Sequence, residues 1–507
     1  MSYKINVIEY FEESYKKYPQ RIAVKEENKS ISFEELHSRV LSYANYIKKT
    51  LGAKKSIIAV LLPKGIDSVI ADLAILYSGN AYMNLDVKNP ENRLNAILEQ
   101  VNPNCVLTNN SIKKTLNQNV KVVNCFGENS FIQKNEEFDI SFFNDLIDTD
   151  PLCVINTSGS TGTPKAVILN HRSFIDFIEA VRYEKLISDG EIIASLSPIV
   201  FDIYSFELCM LMCWGATICV VPEMFSAFPT KLVQFLQEEQ ISYIFWVPTI
   251  MVNIANLKLL DFFSLKKLRM IWFAGEVFPT AKFNYWRSKL EKCRFVNFYG
   301  PIEITLDCLF YEIKEKLDDN SPIPIGKPFR NTSVIVLDDN NKLVKDGEEG
   351  ELCIRGSSLA MGYFGNKEKT KNAFVQNPLN SKYPEIVYRT GDIVSRNGDG
   401  NFVFRGRKDT LIKRMGYRIE LTEIEHVVVS NLKIVKNCCV LYDSQSKDII
   451  LVYESDNQLD ERIIQKQIMS VLPKYMVPTK YIHSYLLPRN TNGKIDRNAL
   501  KNSLIGE

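Results

Sequence analysis

An α/β fold with largely parallel sheets is what this sequence predicts, and three observations carry the prediction. Helix-period and strand-like segments alternate up to about Ser333. From there the texture changes to short strands and turns, with SVIVLD, DDNNK and GELCIRG in succession. After Phe404-Arg405-Gly406-Arg407-Lys408-Asp409 a last segment mixes strands and helices again. At 507 residues the chain exceeds one ordinary core, so two or more domains are expected, with a boundary at Asp409 separating 1–408 from 409–507.

Each element has a local cause. The first twenty residues, MSYKINVIEYFEESYKKYPQ, place apolar residues at helical spacing among charges and hold no apolar core of a signal peptide. Ser32-Phe33-Glu34-Glu35 is a capping box opening a helix whose Phe33, Leu36, Val40, Ala44 and Ile47 share one face, with Gly52 just past its end. Ser56 to Leu62 reads as a buried strand, Ile66 to Tyr77 and Pro90 to Val101 as helices, and Cys105 to Thr108 as a strand. Pro151 to Asn156 and Ala166 to Leu169 are two short strands forming a hairpin, and the apolar run Leu208 to Val221 is a buried helix turning into a buried strand. Lys231 to Glu239 and Lys282 to Glu291 are helical; Ser242 to Trp246 and Lys267 to Ala274 are extended. Beyond Asp409, Thr422 to Ser430 and Asp460 to Leu472 read as helices around the strands CCVLYD and DIILVYES.

Composition excludes several classes of function. Lys plus Arg at 62 against Asp plus Glu at 60 leaves a net charge of +2, so no global field recruits nucleic acid or a membrane surface. The longest apolar run is short for a membrane span. The eleven cysteines are scattered, without a C-x-x-C pair and with only four histidines in the chain, which points to buried thiols in a reducing cytoplasm and to no transition-metal site.

The hairpin loop Thr157-Ser158-Gly159-Ser160-Thr161-Gly162-Thr163-Pro164-Lys165 gathers hydroxyls, glycines and a lysine suited to holding phosphate. It is not a P-loop: the setting is strand to strand, Pro164 stands where the second glycine belongs, and Ala166 follows Lys165 in place of Ser or Thr. Four further polar segments follow: Asn297-Phe298-Tyr299-Gly300-Pro301-Ile302-Glu303, Tyr388-Arg389-Thr390-Gly391-Asp392, Gly406-Arg407-Lys408-Asp409 and Asn492-Gly493-Lys494-Ile495-Asp496. Taken singly, each has a bland reading, Tyr299 as a core aromatic, Asp392 as a turn residue, Glu303 as a helix-start carboxylate and Lys494 as a solvated tail lysine.

In this order and at these separations the five segments resemble the adenylate-forming superfamily, which includes nonribosomal peptide adenylation domains, acyl-CoA synthetases and luciferases. The resemblance covers essentially the whole chain. It implies a large N-terminal domain of stacked α/β subdomains plus a small distorted β-barrel, and a small mobile α+β C-terminal domain hinged at Asp409. It implies ATP and Mg²⁺ as cofactors. Thr157, Ser158, Gly159, Ser160, Thr161, Gly162 and Lys165 resemble the phosphate loop, Phe298, Tyr299 and Gly300 the adenine-binding segment, Asp392 and Arg407 the ribose contacts, Glu303 the Mg²⁺ ligand, and Lys494 the lysine bridging substrate carboxylate and α-phosphate. Ile302 and Ala166 stand where most relatives have threonine and glycine.

Within that resemblance, Ser197-Pro198-Ile199-Val200-Phe201-Asp202 is similar to the segment of amino-acid-activating members whose aspartate pairs with the substrate ammonium. The pocket positions carried across are Asp202, Ile203, Phe206, Phe245, Trp272, Ala274, Phe298, Leu306, Asp307 and Lys494. The aromatics argue for a small side chain such as alanine; Asp307 argues for a second cation, or points at solvent. The implied function is activation of an amino acid as aminoacyl-AMP and thioester transfer to a separate phosphopantetheinylated carrier protein, with Gly416 beside the passing arm and basic residues such as Lys413 and Arg414 available for docking. An acyl- or aryl-CoA ligase and a non-catalytic nucleotide-binding relic are the alternatives. The chain ends thirteen residues after Lys494, at Glu507, so a stand-alone enzyme similar to D-alanine carrier-protein ligases is expected.

Overall fold

A computed structural model describes residues 4–51, 55–112, 114–116, 119–127, 145–157, 164–408, 411–432, 434–435, 437–489 and 495–505. Two large mixed sheets dominate it. The first runs Gly362–Tyr363, Lys165–Asn170, Pro151–Thr157, Ala81–Asn84, Ile57–Val60, Cys105–Asn109, Val122–Phe126. The second has nine strands, and its centre, Arg294–Tyr299, Met270–Phe273, Tyr243–Trp246, Ile192–Ser195, Thr217–Val220 and Ile22–Glu26, is parallel throughout. Strands such as Tyr243–Trp246 and Met270–Phe273 are buried at every residue, as parallel strands covered on both faces must be.

One apolar core joins the two sheets. It takes Ile58, Tyr82 and Ile155 from the first, Ile193, Tyr243 and Trp272 from the second, and the helices Ile66–Tyr77, His171–Tyr183 and Asp202–Trp214 packed between them. Each large side chain so buried contributes about 1.5–3 kcal/mol. The expected hairpin is present, with Ile155 opposite Val167, and Asn170 then caps the helix His171–Tyr183 by accepting from the Ser173 N–H at 2.9 Å. Ser32 likewise accepts from the Glu35 N–H at 3.2 Å, at the start of the helix Phe33–Leu51. The apolar run resolves as predicted into the buried helix Asp202–Trp214 and the strand Thr217–Val220.

From Thr332 the chain builds an antiparallel sheet, Thr332–Leu337, Glu349–Gly356, Ile386–Arg396 and Phe374–Gln376, with Phe402–Arg407 added along Ile386–Arg396. After residue 411 come the hairpin Leu411–Arg414/Tyr417–Glu420 and a three-stranded sheet, Asn437–Asp443, Asp448–Glu454 and Lys480–Ser484. These last strands and the helices Leu421–His426, Glu461–Met469 and Arg497–Leu504 close two cores made wholly of residues beyond 411. The helix expected over 422–430 is α-helical only over Leu421–His426 and continues as a wider π turn, Val427–Asn431. All eleven cysteines are buried and free. Among the described residues no helix is long and apolar enough to cross a membrane.

Candidate active site

The carboxyl ends of the parallel strands of the nine-stranded sheet meet the end of strand Pro151–Thr157 around a cavity of about 130 Å³. In an open α/β sheet this is where ligands bind, because the strands stop there and their connections diverge. Asn156, Thr157, Asp202, Ala274, Gly300, Asp392 and Arg407 line it, and the hairpin 411–420 closes it with Lys413, Gly416 and Arg418.

At one end, Asp392 and Arg407 face each other across two antiparallel strands, in register as a direct pair. The Arg407 guanidinium bonds one oxygen of Asp392, and the Tyr299 hydroxyl donates to the other. Asp392 is 3% exposed, and these two partners satisfy its buried oxygens. The Tyr299 ring packs in the apolar core with Ile304, Leu309 and Tyr388, and Lys413 Nζ stands 5.9 Å from its centroid. Lys165 Nζ lies 5.9 Å from the centroid of Tyr363, and burial lowers its pKa.

Glu303 belongs to a single turn, Ile302–Ile304, and is fully buried. Its carboxylate accepts from the Tyr363 hydroxyl at 2.8 Å and pairs with Arg418 at 2.7 Å. Burial pushes the carboxyl up, but Arg418 and Tyr363 outweigh it and hold the group below its ordinary value. Ile302, beside it in sequence, lies on the cavity wall.

At the other end stand two carboxylates. Asp202 opens the helix Asp202–Trp214, whose N-terminal dipole favours a negative charge, and accepts from the Ile203 N–H at 2.9 Å. Burial nevertheless pushes its pKa up to about 6. Asp307 does not point at solvent: it is 6% exposed and lines the cavity. Burial raises its pKa well above the carboxylate range, and the nearby Asp202 adds to that. Its position is set by unusual backbone. Thr305 and Leu306, neither of them glycine, hold φ of 55° and 64°, and a Cβ on Gly300 would come within 2.2 Å of the Leu306 carbonyl oxygen and 2.5 Å of Asp307 Cα.

Of the expected pocket residues, Asp202, Ile203, Phe245, Ala274, Leu306 and Asp307 line the cavity. Phe206, Trp272 and Phe298 stand behind the wall. Trp272 stacks on Phe206 at 5.2 Å and meets Phe298 at 4.2 Å, so these rings fill one another's space and close the deep side. Ser158, Gly159, Ser160, Thr161, Gly162, Asp409 and Lys494 lie outside the described residues.

The hairpin corrects one expectation. Lys413 does not face outward for docking; it lines the cavity, where burial lowers its pKa against the pull of Asp392 and Asp202. Arg414 is also occupied, donating to the carbonyls of Lys447 and Tyr475. Gly416 has φ of 80°, and a Cβ there would meet Val247 Cγ1 at 2.6 Å. Its N–H donates to Glu276 at 2.9 Å. A second buried ion pair, Arg93 with Glu423, holds the following helix against Glu91–Val101. Sequence reasoning missed Arg418, Tyr363 and Glu276. The only signal for Arg418 was its strand, Tyr417–Glu420, in which polar and apolar residues alternate.

The site therefore offers paired charges at one end, carboxylates at the other, and, among the described lining residues, no serine, histidine and acid arranged as a nucleophile. It suits chemistry that aligns and neutralises charged groups.

Comparison with known proteins agrees with this. The family model for AMP-binding enzymes matches residues 11–364. Zwittermicin A synthase ZmaJ of Bacillus cereus is 29% identical, over 98% of this chain and 94% of its own. Tyrocidine synthase 1 of Brevibacillus parabrevis is 30% identical over 98% of this chain, which spans only 45% of that larger protein. The crystal structure of the Vibrio cholerae adenylation domain AlmE, in complex with glycyl-adenosine-5'-phosphate, superposes with a TM-score of 0.84 at 20% identity, covering 100% of this chain and 99% of that one, which shows a shared fold.

Proposed function

Because this chain belongs to the AMP-binding enzyme family, we propose that it uses ATP to activate an amino acid as aminoacyl-AMP and then transfers the aminoacyl group to the phosphopantetheine thiol of a separate carrier protein. The observation that carries the reading is that one cavity is lined by the Asp392–Arg407 pair, whose aspartate the Tyr299 hydroxyl supports from behind, and by Asp202. The first suits the ribose hydroxyls of a nucleotide, the second an α-ammonium. A carboxylate bound between them would stand beside the α-phosphate of the nucleotide.

In the first step the substrate carboxylate forms a C–O–P bond and pyrophosphate leaves with the electrons of the broken P–O bond. Thr157, at the head of the phosphate loop 158–163, and Lys165 serve the phosphates, and Lys494 neutralises the charge that passes between carboxylate and phosphate. Glu303 fits a divalent cation: it is a fully buried carboxylate that already requires a positive partner. Mg²⁺ held there would screen the phosphate oxygens. In the second step a thiolate attacks the acyl carbon and AMP departs.

The docked hairpin supports assigning the present arrangement to that second step. Gly416 presses against Val247 and Phe201, and Arg418 occupies Glu303. In this reading the segments 1–408 and 409–507 act as two bodies hinged at Asp409, exchanging this hairpin for Lys494. We place the enzyme in the cytoplasm, where its eleven thiols remain reduced, with no nucleic acid or membrane partner. The test is amino-acid-dependent ATP–pyrophosphate exchange with Mg²⁺. Wild type should exchange with one amino acid class, and Lys494→Ala should lose most of that exchange; full activity in the variant would remove the lysine from the mechanism.

A further inference from the structure

We propose, resting on the adenylating activity just assigned, that the substrate is a short diamino acid, Asp202 receiving its α-ammonium and Asp307 a second ammonium on its side chain.

The charges around the cavity set the requirement. Arg407 is committed to Asp392 and Arg418 to Glu303. Among the described residues that leaves two lining carboxylates, Asp202 and Asp307, with Lys413 the remaining lining ammonium. Asp307 is the unusual member. It is 94% buried as judged by its 6% exposure, it opens onto the cavity, and among the described residues its carboxylate accepts no hydrogen bond and joins no ion pair. A carboxylate in that state calls for a cation from the ligand. A substrate with one ammonium satisfies Asp202 and leaves Asp307 with only the pull of Lys413, which forms no hydrogen bond or ion pair with it; a hydroxyl or methyl side chain does little better, because a cationic group is needed to supply both donors and opposite charge.

The fold has not left Asp307 there by default. Two successive left-handed residues, Thr305 and Leu306, turn it inward, and Gly300 gives up its side chain to let that backbone approach. Length follows from the aromatic wall. Phe206, Trp272 and Phe298 pack on one another behind the cavity rather than opening it further, which favours a short side chain.

The experiment is ATP–pyrophosphate exchange with both enantiomers of 2,3-diaminopropionate, 2,4-diaminobutyrate, alanine, serine and lysine, on wild type and Asp307→Asn. A short diamino acid should exceed alanine in kcat/KM by roughly 10- to 100-fold, and Asp307→Asn should cut the ratio of diamino acid to alanine by the same factor, the worth of a lost charge-assisted hydrogen bond. Preference for a neutral amino acid, or for lysine over the shorter homologues, in wild type overturns the inference and leaves adenylation standing. Silence with every amino acid overturns the adenylation reading beneath it. The wild-type ratio decides the matter even if the variant does not fold.

Discussion

Replacing Arg418 with methionine separates the two steps of the proposed reaction. The side chain is 16% exposed and its partner Glu303 not at all, so the variant leaves an unpaired carboxylate in the interior whenever the hairpin is docked. Removing one member of a buried ion pair costs about 3–5 kcal/mol. Glu303 keeps the Tyr363 hydroxyl at 2.8 Å, and methionine keeps the bulk of the arginine stem, so the lower end, roughly 3 kcal/mol, is the better figure. At 1.4 kcal/mol per factor of ten this depopulates the docked arrangement by about 100-fold. In the proposed alternate arrangement the hairpin would be withdrawn and Glu303 free for a divalent cation, so adenylation would not depend on the pair. Exchange of pyrophosphate should therefore fall less than about fivefold, whereas single-turnover transfer of a labelled aminoacyl group to pantetheine should fall by about 100-fold. Equal losses in both assays would show that Arg418 serves the fold in general. Undiminished transfer would show that the docked hairpin is not the thioester-forming arrangement.

Two further outcomes follow from packing and burial. Gly300→Ala places a methyl group 2.2 Å from the Leu306 carbonyl oxygen, a backbone atom that cannot step aside, so unfolding by urea should show a loss of about 1–3 kcal/mol or more, with substrate KM rising as Asp307 shifts. His171 is buried, takes the Val7 N–H on its Nδ1, and has its pKa lowered to about 4 by burial, against the opposing pull of Asp150 and Asp148. Because the unfolded histidine titrates near the ordinary 6.5, the unfolded chain binds the extra proton between these values, and the stability it contributes is full above 6.5 and lost as pH falls toward 4. The difference is roughly 3 kcal/mol, to be read as a pH slope in urea midpoints that His171→Asn should flatten.

The parts of the site written in local chemistry could be read from the sequence. The hairpin around 158–163 announced itself through two short apolar strands and a run of small polar residues, and Asp202 through its place at the head of a long apolar helix. What stayed illegible depends on distant pieces meeting. Lys413 and Arg418 are ordinary strand residues until the hairpin 411–420 docks, 115 positions from Glu303 in the case of Arg418. Phe206, Trp272 and Phe298 carry the same letters whether they face a ligand or one another, and only the crossing of three elements decides that they stack. Asp307 illustrates both limits, since the backbone twist at Thr305 and Leu306 that turns it inward uses residues with no preference for that conformation.

The buried state of the eleven cysteines bears on chemical selectivity. An acyl adenylate acylates whichever thiolate reaches it first, and a protein carrying this many sulfur atoms risks trapping its own product. Cys308 sits next in sequence to Asp307, yet it lines no part of the cavity, its Sγ contacts the Tyr299 carbonyl oxygen, and burial raises its pKa far above neutrality. The remaining ten are also buried within the fold. In the proposed reaction, self-acylation would thereby be suppressed without removing cysteine from the chain, and the activated group would stay available to a thiol that arrives from outside.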